Sequence, residues 1–334
     1  MKYLVIGDPH FSAGNEEETR LLEEEVDRVI EEEQPDEVVL LGDVSDRYER
    51  RSNCRAKEWI TRLSSTIPVT LLVGNHERPD NMDYHSRIHD YVGMEREGLR
   101  IVAQSIRVGD VIYVPYVRPG MFQTSLNSAG GLKGVKWIFA HQSFVGCGEP
   151  TAIDKWENNI KVVSGHIHTR MSLQKGERQA NILGKGWNVY YPGSSTCTTF
   201  LDTHDRVVAI VEGDMVREVP IKAYKRRVMQ LTPNFTEEDL TNITSSDGYT
   251  QLVIKGTYAE CAEMRNTDLV RDAENRGCVI KTIILDEGEV FQPVTHTVTR
   301  PFHQEVLSKM SSKWTADELS YLSRVMRGDA VGTS

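Results

Sequence analysis

The chain has 334 residues and a net charge of −10, with 39% hydrophobic and 26% charged residues. That length exceeds one small core, and the ordinary composition excludes wholesale disorder. No apolar run reaches the length of a membrane span, and the acidic balance excludes a coat of basic residues while leaving room for a local basic strip.

The first apolar run, YLVIG at 3–7, reads as a strand. Asp8 ends it too early for a signal peptide, so export is not expected. EEETRLLEEEVDRVIEEEQ then places Leu21, Leu22, Val26, Val29 and Ile30 at helical spacing, with its glutamates read as a solvated face. EVVLLG (37–42) is the second strand. SNCRAKEWITRLSS (52–65) puts Ala56, Trp59, Ile60 and Leu63 on one helix face ahead of a third strand, PVTLLVG (68–74). Strands follow at DVIYVPYV (110–117), WIFAH (137–141), KVVSG (161–165), NVYYPG (188–193) and RVVAIVEG (206–213). Their Val, Ile and Tyr content and frequent closing glycines suit buried strands, and strand–helix–strand succession predicts a layered α/β core.

After residue 222 the pattern changes. KAYKRR and a polar stretch with Pro233, Asn234 and NITSSDG read as a linker. TQLVIKG (250–256), a helix near 259–276 and VIKTIILD (279–286) form a compact βαβ-like unit. The last piece holds TADELSYLSRVM, with a Thr315–Glu318 capping box and an apolar stripe of Leu319, Leu322, Val325 and Met326. Domains are accordingly expected at 1–222, 223–292 and 293–334. Cys54, Cys147, Cys197, Cys261 and Cys278 are odd in number and lack a CxxC pair, and so read as free thiols in a reducing cytoplasm.

Five of the apolar runs end in metal-capable residues: Asp8-Pro9-His10, Gly42-Asp43, Gly74-Asn75-His76-Glu77, His141-Gln142 and Gly165-His166-Ile167-His168. Side chains alternate along an extended chain, so His166 and His168 share one side while Ile167 faces away. Each motif alone has a bland reading, as a turn, a helix cap or a hydrogen-bonded core histidine. Their common position at strand ends does not, because groups beyond strand ends in α/β sheets converge on one crevice. Mixed carboxylate, imidazole and amide donors suit Mn, Fe or Zn rather than Ca or Mg.

The series DPH, GDVSD, GNHE, AHQ and GHIH, over roughly residues 1–220, resembles the calcineurin-like metallophosphoesterase superfamily. The resemblance implies an α/β fold, a layered β-sandwich flanked by helices. It also implies two divalent ions, one on Asp8, His10, Asp43 and His168, the other on Asn75, His141 and His166 with Asp43 bridging. Hydrolysis would then proceed without a covalent enzyme intermediate, between ions about 3.5–4 Å apart. His76 follows Asn75, projects the other way, and would stabilise or protonate the leaving oxygen. Asp46 either holds that imidazole or caps the Arg-rich helix.

Among members of the superfamily, GDVSDR and GNHE resemble protein Ser/Thr phosphatases, but DPHF and the second histidine of GHIH depart from that branch. Nucleotide phosphodiesterases share every motif, yet usually end sooner. The order of phosphoesterase domain, small α/β capping domain and C-terminal helices is similar to SbcD-type DNA repair nucleases, phage counterparts included. That likeness implies a DNA substrate, Mn²⁺, an SbcC-like coiled-coil ATPase partner and a homodimer through 52–65 and 82–97; Trp59, Ile60, Ile88, Tyr91 and Val92 supply the apolar faces there, with packing on the chain's own sheet as the other reading. Ser45 departs from the aromatic residue that relatives often carry there. Arg47, Arg50, Arg51 and Arg55 would line the crevice mouth, and Lys222, Lys225, Arg226 and Arg227 form a second strip; solvated surface charge is the competing reading of both. A non-enzymatic scaffold of the same fold is the third function class, disfavoured because no ligand position is missing.

Overall fold

The computed structural model describes residues 1–48, 54–79, 88–197, 205–233, 235–237, 248–276 and 278–285. Arg50, Arg51 and the helix expected around Leu319 lie outside them. In chain order the first half runs β1 (Lys2–Ile6), α1 (Glu16–Glu33), β2 (Glu37–Leu40), α2 (Cys54–Ser64), β3 (Val69–Leu72), β4 (Leu99–Val102), β5 (Ile106–Val108), β6 (Val111–Val114), α3 (Phe122–Ser128) and β7 (Trp137–His141). The second half runs β8 (Lys161–Gly165), β9 (Met171–Gln174), β10 (Glu177–Arg178), β11 (Val189–Tyr191), β12 (Val207–Glu212), β13 (Met215–Pro220), β14 (Lys225–Leu231), β15 (Gly248–Gly256), α4 (Tyr258–Arg265), α5 (Asp268–Asn275) and β16 (Val279–Ile284).

Two sheets face each other, one ordered β13-β12-β1-β2-β3-β4 and the other β10-β9-β11-β8-β7-β6-β5. Period-two alternation divides every central strand between two cores. Tyr3, Val5, Val39 and Leu72 point inward against Tyr113, Trp137, Phe139, Val163 and Tyr190 of the opposite sheet. Leu4, Ile6, Val38, Leu40 and Leu71 point outward under Val26 and Val29 of α1 and Trp59 and Ile60 of α2. Ile112, Ile138, Val162 and Val189 meet Phe122 and Leu126 of α3 on the far side. Strands apolar on both faces are what a four-layer sandwich requires. β1 to β4 are mutually parallel, as are β6, β7, β8 and β11, so their C-terminal ends gather at one edge of the sandwich.

Several expectations need correction. KRRVMQL is the strand β14 and not linker: it pairs in parallel with β15, which pairs in parallel with β16. The helix expected near 259–276 breaks at Asn266, because Thr267 caps a second helix by accepting from Val270 N. The α1 glutamates are only partly solvated. Glu18 and Glu25 are buried, Glu18 lying 3.0 Å from the Arg226 guanidinium and Glu25 accepting from Lys222 N at 3.1 Å. Trp59, Ile60 and Tyr91 cannot form a dimer surface, since they are buried in the layer over the first sheet. Ile88 and Val92 are exposed. All five cysteines are free thiols. Among the described residues no helix is long and apolar enough to cross a membrane.

Candidate metal centre

The turns leaving β1, β2 and β8 carry the chemistry in an unusual backbone. Asp8, His10, Asp43 and His166 have φ of 40°, 49°, 47° and 77°, a region costly for residues with a Cβ. Neighbouring chain holds them there. His10 N donates to Asp43 O at 3.0 Å, and the Ser194 and Thr196 hydroxyls donate to Asp8 O and Pro9 O. Glu77, fully buried, accepts from Asp43 N, Ser45 N and Gly74 N at 3.0, 3.0 and 2.7 Å, tying the β2 and β3 turns into one unit. Glycine is required at 74, where a Cβ would lie 2.1 Å from Asp43 Oδ1.

These turns bring together the residues singled out in the sequence. Ligand atoms of Asp8, His10, Asp43 and His168 lie within 4.8 Å of one another, and those of Asp43, His141 and His166 form a second such group. Asp43 belongs to both. Asn75 Oδ1 joins the second, 3.1 Å from His141 Nε2 and 2.9 Å from His166 Nδ1. His141 Nδ1 donates to Leu41 O at 2.7 Å, which turns Nε2 inward, 3.2 Å from Asp43 Oδ2. The donor set fits a pair of divalent cations. Asp8 Oδ2 is buried without a hydrogen-bond partner, and His10 Nε2 faces His168 Nε2 at 2.9 Å, two ring nitrogens converging where a shared ion would satisfy both.

Electrostatics follow from burial among opposed charges. Burial raises the Asp8 carboxyl, against the pull of His141. It would raise Asp43 too, but His141, His76 and His10 hold that carboxyl well below its usual range. Burial alone would lower His141; Asp43 and Asp8 outweigh it and bring the imidazole to about 9. His168, desolvated beside His10, falls to about 3. Burial and the Asp43 charge push Glu77 to about 8.

Asp46 meets His76 through its backbone and clusters with His10 and His76 through its carboxylate, while the start of the Arg-rich stretch that it was expected to cap lies outside the described residues. Its carbonyl oxygen, not its carboxylate, accepts from His76 Nδ1, while the carboxylate lies 3.5 Å from His10 Nδ1. The His76 ring stands beside the centre, Nε2 being 3.9 Å from Asp43 Oδ2 and the side chain 31% exposed. Arg47 is exposed, 3.5 Å from the Asp46 carboxylate. Arg55 does not reach the crevice: it donates to Glu16 O and Glu23 Oε1 on α1, both at 2.8 Å. Ser45, where relatives often carry an aromatic residue, is buried and its Oγ lies 2.7 Å from the Tyr91 hydroxyl. Sequence reasoning missed Glu149, 3.3 Å from His166 Nε2, and Tyr116, whose ring lies over His166 at 5.1 Å. It also gave no role to Glu77, although GNHE contains it.

Residues 1–216 match the model of the calcineurin-like phosphoesterase family. The chain belongs to that family. This phosphoesterase is therefore a metal-dependent hydrolase of phosphoester bonds, and the centre at the strand ends is its candidate binuclear site. It is 28% identical to "Putative phosphoesterase 078R" of Invertebrate iridescent virus 3, over 94% of this chain and 93% of that one. "Putative phosphoesterase 244L" of Invertebrate iridescent virus 6 is 30% identical over 67% of this chain and 81% of the relative. Among solved structures, the E. coli phosphoesterase YfcE aligns over 67% of this chain and 93% of its own, at 13% identity and TM-score 0.34. Pseudomonas putida nuclease MPE aligns over 65% and 87%, at 13% identity and TM-score 0.30.

Proposed function

We propose that the chain is a two-metal phosphodiesterase acting on DNA, the nuclease subunit of an SbcCD-like recombination and repair complex in the cytoplasm, with Mn²⁺ as its ions. The observation that carries the reading is the pair of donor groups sharing Asp43, with His76 at their solvent side. Asp8, His10, Asp43 and His168 would hold one ion; Asp43, Asn75, His141 and His166 the other. Such a pair, when bound, supplies an activated water and neutralises phosphate oxygens. The chain's own residues orient the rest. Leu41 O fixes the His141 tautomer, and Asp46 O accepts a hydrogen bond from His76 Nδ1, so that in the imidazolium form the Nε2–H is free to donate to the leaving oxygen.

The SbcD-type reading is supported by the small parallel sheet β14-β15-β16, which follows the sandwich in the order that resemblance implies, and a polymer substrate by Arg47, whose side chain is exposed beside the centre. A second reading, a phosphodiesterase for nucleotides, is favoured by one observation: Arg55, Lys222 and Arg226, which phosphates were expected to meet, all lie against carboxylates of α1. Purified protein with Mn²⁺ tests both, using bis-p-nitrophenyl phosphate and short DNA. Cleavage of both is expected. Diester cleavage without DNA cleavage favours the nucleotide reading, and inertness towards both favours a scaffold.

A further inference from the structure

We propose that Glu149 is a positioning residue for the second ion, acting through His166. The inference rests on the two-metal reading of the site. His166 presents Nδ1 to the centre, 2.9 Å from Asn75 Oδ1, while its other ring nitrogen, Nε2, lies 3.3 Å from Glu149 Oε2. That oxygen is buried and has no hydrogen-bond partner; Oε1 is already engaged, accepting from the Thr151 hydroxyl at 2.8 Å. A buried carboxylate oxygen without a donor is costly, and an N–H on His166 Nε2 is a donor within reach.

The consequence is chemical. A proton held on Nε2 by a carboxylate leaves the lone pair on Nδ1, and only an unprotonated ring nitrogen ligates a cation. Tyr116 covers the same ring, inclined at 31°, so the imidazole is fixed in plane as well as in tautomer. The segment bearing Glu149 is itself anchored: Val145 N donates to Asp154 O at 2.9 Å, and the Asp154 carboxylate accepts from Gln142 Nε2 at 3.0 Å. His141 obtains the same service from a backbone carbonyl. His166 has Glu149 instead.

The test is Mn²⁺ binding by the full chain, followed by titration calorimetry and elemental analysis, with electron paramagnetic resonance reading the coupled ion pair. Wild type should bind two ions. Glu149→Ala should weaken the second ion by about 10–100-fold and lose the coupled signal, while the first ion binds as before. Glu149→Gln, which keeps an oxygen acceptor of the same shape, should retain most of the second ion's affinity. The inference is overturned if Glu149→Ala binds both ions as wild type does, if it loses both equally, or if Glu149→Gln is as weak as Ala. Should wild type itself bind fewer than two ions, the two-metal reading fails first and takes this inference with it.

Discussion

Asp8, His10, Asp43 and His166 occupy a backbone region that costs a residue with a side chain about 1–3 kcal/mol each. The strain buys direction, since each side chain is turned from its strand axis into the crevice, and the Glu77 clamp and the hydroxyls of Ser194 and Thr196 sustain it. His76 lies beside this set with Nε2 unengaged by the Asp46 carbonyl. His76→Ala should therefore keep both ions and DNA affinity while lowering kcat by about 10²–10⁴-fold. Loss of metal by the variant, measured by elemental analysis, would make His76 a ligand instead. The candidate ligands were legible because residue type and strand-end position both announce them. Glu149, Tyr116 and Tyr91 were not, because their roles depend on contacts made across the fold. Tyr91 in particular gave the same apolar signal whether it faced a partner or, as it does, Ser45.

At the scale of elements, the central strands were legible from unbroken apolar runs. β14 was hidden by its opening Lys225-Arg226-Arg227, which reads as linker until its parallel pairing with β15 is known. β5 and β13 are only partly buried, and the short mixed runs IRV and MVREVP do not declare themselves as strands. The glutamates of α1 looked alike in sequence, yet they divide by what packs over them. At its C-terminal end Glu33 takes Lys2 Nζ at 2.9 Å and the Arg217 guanidinium, joining the helix to β1 and β13. Hydrogen bonds from Lys2, then Arg217, hold the Glu33 carboxyl below its usual value. A carboxyl lowered in the folded state adds stability above the unfolded pKa of about 4.3 and loses it as pH falls through the folded value. Glu33→Gln should then cost about 0.2–1 kcal/mol at pH 7, the range for a partly exposed pair. Thermal melts should show that gap closing below pH 4. A gap that persists at pH 3 would mean that Glu33 acts by packing and not by charge.

For the whole molecule, the sandwich places donors from both sheets at one edge, so the centre exists only when the two halves close on their shared core of Tyr3, Val5, Phe139 and Tyr190. The proposed ATPase partner concerns the tail, whose apolar stripe at Leu319, Leu322, Val325 and Met326 either folds on its own domain or lies in a partner's groove. Removing 312–334 should spare cleavage of short single-stranded DNA, because no site motif lies there, and abolish co-purification with an SbcC-like subunit. A truncated chain that is insoluble or melts much lower would return the helix to its own core. The central claim, two ions joined by one carboxylate, is tested most directly by the metal content of Asp43→Ala beside wild type, with diester hydrolysis measured on the same samples. Wild type should carry two ions per chain, and the variant should lose occupancy at both positions and all hydrolysis. Full two-ion occupancy in Asp43→Ala would contradict the bridging role on which the account depends.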